Sequence, residues 1–202
     1  MTRLLTKPTV ILKRITPDAQ DLIEEAGRLC WDSEGKDAAK FIQSIVKRGH
    51  ESVVEHGSAS FLIEASRAAL AQITRHRICS YSVRSQRYVD ESDFDYMVPP
   101  SIMSNPAAYY DFELHMKLCQ ATYMRLRDQG IKKEDARFVI PNACLTKFMM
   151  TANLREWRHF IKIRSDKAAQ WEVRSIAKDI LADLYAHTPA VFFDLLMETT
   201  QQ

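Results

Sequence analysis

The chain has 202 residues, with 28 lysines and arginines against 26 aspartates and glutamates and a formal net charge of +2. That length buries a sizeable core, the composition is that of a globular protein, and near-neutral charge removes any long-range reason to expect a polyanion partner. Residues 1–15 lack the apolar core of a signal peptide, and no later run nears the roughly 20 apolar residues of a membrane helix, so the expectation is a cytoplasmic protein with neither membrane nor nucleic acid as partner.

Residues 9–15 alternate as a strand does, and Pro17-Asp18 then opens an amphipathic helix through Leu22, Ile23, Ala26, Leu29 and Cys30. A second helix over residues 36–48 carries Ala39, Phe41, Ile42, Ile45 and Val46, and Gly49 stops it. Residues 56–65 read as a half-buried strand, and 67–75 return to helical spacing with Ala68, Ala69, Leu70 and Ile73. The arginine-rich segment 75–88 therefore leaves a helix C-terminus as a loop. Residues 87–98 read as a strand or extended segment ending at Pro99-Pro100. A long helix follows from Pro106 to Gly130, then a short one over 132–139 halted by Pro141. Residues 143–151 are apolar and suit strand or helix, with strand preferred; helices over 154–163, 168–187 and 189–197 complete the chain. The expected class is α+β, a helix-rich single domain (residues 1–202) with a mixed β-sheet, without internal repeat or linker.

Cys30, Cys79, Cys119 and Cys144 are widely spaced, with no Cys-x-x-Cys pair, so four reduced thiols are expected rather than a metal cage or disulfide framework. Only five glycines occur, and none cluster as a phosphate loop requires. Any nucleotide must then be held mostly by side chains. Residues 75–88 hold four arginines, one histidine, three serines and two tyrosines with only Ile78 and Val83 aliphatic. Guanidinium forks pair bidentately with phosphate and serine hydroxyls fill the remaining lone pairs, so this stretch reads as an anion site. Gln72, Arg75 and His76 are spaced i, i+3, i+4, which on a helix presents amide, guanidinium and imidazole together. The alternative for Arg75 to Arg77 is a surface turn favoured by the helix dipole.

His50-Glu51 and Glu55-His56 invite a metal reading, but a zincin helix needs its histidines four apart and these are six apart, so no metal is expected. A third cluster is Asn153, Arg155, Arg158, His159, Arg164 and Asp166, followed by Gln170-Trp171-Glu172. A surface face of salt bridges with Glu156 and Asp166 is its ordinary alternative. A fourth element is Ala136-Arg137-Phe138-Val139-Ile140-Pro141, whose bland reading is one solvated arginine.

The Arg-His-Arg triplet at 75–77, seven residues, then Ser85 and Arg87 resemble the signature of the flavin-dependent thymidylate synthases, also known as thymidylate synthase complementing proteins. The His-Glu-x-x-x-Glu-His segment, the Ala-Arg-x-x-Ile-Pro segment, the Asn153-x-Arg155 helix and the Arg164-x-Asp166-x-x-Ala-Gln-Trp-Glu string are similar to that family's and occur in its order. The resemblance implies conversion of dUMP to dTMP with 5,10-methylenetetrahydrofolate as carbon donor, NADPH as reductant and FAD between them. It also implies a homotetramer whose active sites form where subunits meet. Gln72, Arg75, Ser85, Gln86, Arg87, Arg137 and Arg164 would bind dUMP, with Arg164 favouring the N3-deprotonated uracil. His56, Ser58, Arg75, His76, Arg77, Asn153, Arg155 and His159 would hold FAD.

No side-chain nucleophile is required; Ser85 lacks an evident base and suits a hydrogen-bond donor to phosphate, and Cys79, whose pKa flanking arginines could lower, is incidental. Two departures stand out. Many members carry an amide and a glutamate shortly before the motif serine, where this chain has Ser82 and Val83 followed by Arg84; Ala168 stands where some have histidine. Two other readings stay open: a nucleic-acid-binding module using residues 75–88, and a non-catalytic flavin-binding relative disabled at Val83 or Arg84.

Overall fold

A β-strand at Thr9–Ile15 and a helix at Ala19–Trp31 begin the regular structure much as their periodicity predicts. The computed structural model describes residues 2–35 and 37–200, the last three without their side chains, so the expected start of the second helix at Lys36 lies outside the described residues. In chain order the elements are β1 (Leu4–Leu5), β2 (Thr9–Ile15), α1 (Ala19–Trp31), α2 (Ala38–Lys47), a 3-10 helix at Glu51–His56, β3 (Ser58–Ser66) and α3 (Arg67–Ile73). Then come β4 (Ser80–Val83), β5 (Tyr96–Met97), α4 (Pro100–Met103), α5 (Pro106–Asp128), α6 (Lys133–Ala136), a 3-10 turn at Arg137–Val139, β6 (Leu145–Asn153), α7 (Leu154–Arg164), α8 (Trp171–His187) and α9 (Pro189–Thr200). The class is α+β and helix-rich. Strands β2-β3-β6-β4 form one sheet in that order, and β1 pairs in parallel with β5.

The chain divides into two compact units. The first runs through Thr9, Glu64–Gln72 and Ser82–Phe148; the second holds Val10–Ile63, Ile73–Tyr81 and the chain from Met149 onward. The first is built around α5, whose N-terminus is capped by the Asn105 side chain accepting from Ala107 and Ala108 amides at 3.1 and 3.2 Å. Phe94, Tyr96, Val98, Met116, Cys119 and Cys144 form its core. In the second, Gly49 (φ 76°) ends α2 in the left-handed conformation that glycine adopts without a Cβ penalty. Its centre is an aromatic stack: Phe61 meets Trp157 edge-on at 5.1 Å, and Trp157 meets Phe160 at 5.7 Å. Trp157 Nε1 donates to Ala59 O at 3.1 Å, so α7 is fastened to β3 by a bond as well as by burial. Arg158 on α7 then forks onto Asp194 of α9 with two contacts of 2.7 Å and gives Nε to Glu51 at 3.0 Å. The pair and the second carboxylate outweigh burial, which alone disfavours the guanidinium, so the Arg158 pKa is raised.

Glu51–His56 forms a 3-10 helix that buries Val53 and Val54. Three expectations need correction. Helix α3 stops at Ile73, so Arg75 and His76 lie in the turn beyond it and share no helical face with Gln72. Inside the supposed loop, Ser80–Val83 is a strand whose alternate residues, Tyr81 and Val83, are half-buried; its serines disguised it. Only Tyr96–Met97 of residues 87–98 is strand, because the acids between turn the chain, with Asp90 Oδ1 accepting from the Ser92 amide at 2.9 Å.

Candidate functional site

In the second unit, β4 follows a turn closed by Tyr81, whose hydroxyl is shared between the carbonyls of Ile73 (2.8 Å) and His76 (3.0 Å). Burial raises the Tyr81 pKa, which keeps it a donor. This turn delivers His76 into the interior, 7% exposed, edge-on to Phe160 at 4.9 Å. Its Nδ1 lies 3.2 Å from Glu156 Oε1, and its Nε2 lies 3.0 Å from the Arg164 Nε. Burial pushes the His76 pKa below 6.5 against the pull of Glu156, with Arg164 and His159 adding to the depression. The ring is therefore neutral at neutral pH, and the contact with Glu156 is a hydrogen bond rather than an ion pair. Because an arginine Nε only donates, Nε2 is the acceptor and the proton is assigned to Nδ1.

Beside this chain lies a groove of about 480 Å³ lined by Glu51, Glu55, Ile78, Asn153, Arg155 and His159, with Glu156 on its wall. Asn153 caps α7 by accepting from the Glu156 amide at 2.8 Å. Arg155 donates to Glu55 at 2.5 Å, not to Glu156 or Asp166, so the alternative of a salt-bridged face on α7 with those two acids is not formed. Of the residues assigned to FAD, the structure brings Asn153, Arg155 and His159 to the groove and sets His76 behind it. His56 and Ser58 are exposed outside it, and Arg75 and Arg77 are exposed without an ionic partner among the described residues.

These residues fit a phosphorylated cofactor. Arg75, Arg77 and Arg155 supply exposed guanidinium groups, and of the groove's acids Glu51 is neutralised by Arg158 and Glu55 by Arg155. The Arg155–Glu55 pair is exposed, so exchanging it for a ligand phosphate costs little. His76, Glu156 and His159 also offer ligand atoms within 4.8 Å of one another, yet both His76 nitrogens are already engaged, one by a guanidinium. Burial, reinforced by Glu156, pushes the Cys79 thiol up to about 11, so its flanking arginines do not activate it.

The first unit carries a second cationic group. Arg87 places Nε and Nη2 on Glu134 Oε2 at 3.1 and 3.0 Å, and Arg137 Nε donates to the Glu134 carbonyl at 3.0 Å. Two arginines 50 positions apart thus converge on one acidic residue. Ser85 Oγ accepts from the Arg87 amide at 3.3 Å, and Ser85 O accepts from Val89 at 3.0 Å, which makes it the pivot of the turn. Gln86 is buried with Nε2 3.8 Å from Cys144 Sγ, and Gln72 is half-buried on α3. Arg84, one of the two departures, lies 3.4 Å from Glu91, a carboxyl 2% exposed whose pKa burial raises against Arg84 and Arg67. Glu134, Glu91 and Glu156 were invisible as site residues from sequence. Nothing in a lone glutamate's spacing marks it as the partner of a distant arginine or histidine.

The family model described as thymidylate synthase complementing protein matches residues 11–190. The flavin-dependent thymidylate synthase of Geobacter sulfurreducens is 40% identical over 198 residues, covering 92% of this chain and 85% of that one. That of Nitratidesulfovibrio vulgaris is 38% identical, covering 92% and 88%. Among solved structures, a UMP/dUMP methylase, PolB, from Streptomyces cacaoi bound with 5-Br UMP superposes with a TM-score of 0.85 at 21% identity, covering 98% of this chain and 97% of the other. That likeness establishes the fold.

Proposed function

Since the chain belongs to the thymidylate synthase complementing protein family, we propose that it is a flavin-dependent thymidylate synthase, converting dUMP to dTMP with 5,10-methylenetetrahydrofolate as carbon donor and NADPH as reductant. The observation that carries the reading is the likeness of about nine-tenths of the chain to enzymes of that name, with both of its cationic groups built from the residues the family pattern singles out.

Each residue has a physical task. In the first unit Arg87, Arg137 and Ser85 hold the phosphate of dUMP, replacing the Glu134 carboxylate that an exposed arginine fork releases readily, while Gln72 and Gln86 position the nucleotide. In the second unit Arg75 adds to dUMP binding, and Arg164, its Nε fixed by His76, turns its charge toward the uracil ring and favours the N3-deprotonated form. His56, Ser58, Arg75, His76, Arg77, Asn153, Arg155 and His159 bind FAD, which when bound supplies the hydride chemistry. The Ser85 hydroxyl donates a hydrogen bond to the phosphate. With Arg84 drawn to Glu91, the unusual loop keeps its shape by an internal contact, which favours an active enzyme over a disabled relative.

The family match runs unbroken through both units, which supports a single catalytic domain. Tyr110, Leu114 and Leu118 form an exposed apolar stripe at four-residue spacing on α5, which supports burial between subunits of a homotetramer with shared active sites. The cysteines are free, as a cytoplasmic enzyme's would be, and no described helix is long and apolar enough to cross a membrane. Anaerobic visible spectra of the purified protein test the reading: flavin bands that bleach with NADPH, and faster with dUMP, are expected. Arg164→Ala should stay folded and yellow while dTMP formation falls by about 10²–10³-fold. A colourless protein that takes up no added FAD would overturn the proposal.

A further inference from the structure

We propose that Glu156 is a positioning residue for the reaction: by accepting the Nδ1 proton of His76 it keeps Nε2 an acceptor, and that nitrogen fixes the Arg164 guanidinium. The catalytic consequence rests on the synthase reading; the relay itself rests on geometry alone.

Glu156 is the third residue of α7, where a glutamate ordinarily turns back to its own helix N-terminus. Here Asn153 accepts from the Glu156 amide, and the Glu156 side chain instead points inward, 8% exposed, toward His76 Nδ1 at 3.2 Å and Cys79 Sγ at 3.9 Å. Among the described residues no lysine or arginine pairs with it directly. A buried carboxylate needs a compensating charge, and the guanidinium that supplies it, Arg164, lies on the opposite edge of the imidazole, 3.0 Å from Nε2.

A neutral imidazole has one N–H and one lone pair, so it satisfies both neighbours in one tautomer alone. With the proton on Nδ1, His76 donates to Glu156 and accepts from Arg164. With the proton on Nε2, N–H faces N–H at Arg164 and a lone pair faces the carboxylate. A doubly protonated ring suits Glu156 but repels Arg164. Rotation out of the arrangement is opposed by Phe160 against the ring and by Tyr81 on the His76 carbonyl. Glu156 therefore chooses the tautomer, and the tautomer holds the arginine. It is charge-compensated across the ring and needs no contact with dUMP or flavin to act.

The test combines a spectrum and a cycle. In the whole protein labelled with ¹⁵N-histidine, long-range ¹H–¹⁵N correlation at neutral pH should report a neutral His76 with its proton on Nδ1, assigned against His76→Gln. Glu156→Leu, which removes the acceptor, should shift the ring toward Nε2–H and lower kcat on the order of tenfold or more with a smaller change in KM for dUMP. Glu156→Gln keeps an acceptor oxygen, so it should retain the tautomer and recover most of that turnover. Combined with Arg164→Ala, Glu156→Leu should add no further loss. An Nε2–H tautomer in the native protein overturns the proposal even if Glu156→Leu fails to fold, and so does an unchanged tautomer in Glu156→Leu or a fully additive double variant. If Arg164→Ala makes dTMP at the native rate, the synthase role of Arg164 falls while the spectrum still decides the relay.

Discussion

In the first unit Arg87 faces Glu134 with 54% of its side chain in solvent, whereas in the second Arg158 faces Asp194 and Glu51 with 7% exposed. Both are bonded guanidinium groups, and the difference lies in what surrounds them. An ion pair in water is worth little and exchanges for a ligand phosphate at small cost. A desolvated pair leaves an unpaired charge when broken, so it serves as structure. Arg87 of the first unit is therefore loosely held, and Arg158 of the second is locked.

The largest expected effect that would break this contrast is Arg158→Ala. It leaves Asp194 without its guanidinium and Glu51 with only Arg155 at 3.9 Å, and thermal melts should show a loss of about 3–5 kcal/mol. A loss under about 1 kcal/mol would place Arg158 with the exposed pairs of the first unit.

A second prediction sharpens the comparison through pH. His76 faces Glu156, Arg164 and His159, and its pKa is depressed below 6.5 chiefly by burial. The neutral ring thus contributes stability that is whole above 6.5 and is lost as pH falls below it, because the unfolded chain takes up a proton that the folded ring refuses. Between about pH 7.5 and about pH 5 the melting midpoint of the native protein should fall more steeply than that of His76→Gln. Parallel curves would mean that His76 does not titrate differently on folding.

The smallest effect belongs to Glu134→Ala, which should change stability by less than about 1 kcal/mol. On the proposed role of Arg87 the lost carboxylate is a competitor of the phosphate, so dUMP binding measured by calorimetry should tighten. Weaker binding would instead make Glu134 the residue that aims the fork.

Periodicity and capping chemistry made most of the helical scaffold readable in advance. Gly49 ends α2, and the apolar run before Asn153 is the strand it was read as; Asn105 and Asn153 cap α5 and α7, roles the sequence reading did not give them. Gln170, within a string similar to the family's, caps α8 by accepting from the amides of Glu172 and Val173, at 3.2 and 3.1 Å. The misreadings came from segments where local composition and non-local pairing disagree. Ser80–Val83 looks like loop and is strand, and the helix before Arg75 ends two residues sooner than its spacing suggests.

From sequence alone come the α+β class, the run of helices, the arginine and histidine positions that resemble a family signature, and hence the chemistry to expect. Those depend on residue type and short-range spacing, which a linear chain carries. Tertiary structure decided which carboxylate each of those cations meets: Glu134 for Arg87, Glu91 for Arg84, Glu55 for Arg155, and Glu156 through His76 for Arg164. A glutamate's burial and partner are set by chain segments tens of residues away, so its charge reads the same in a sequence whether it ends in water or against a buried imidazole.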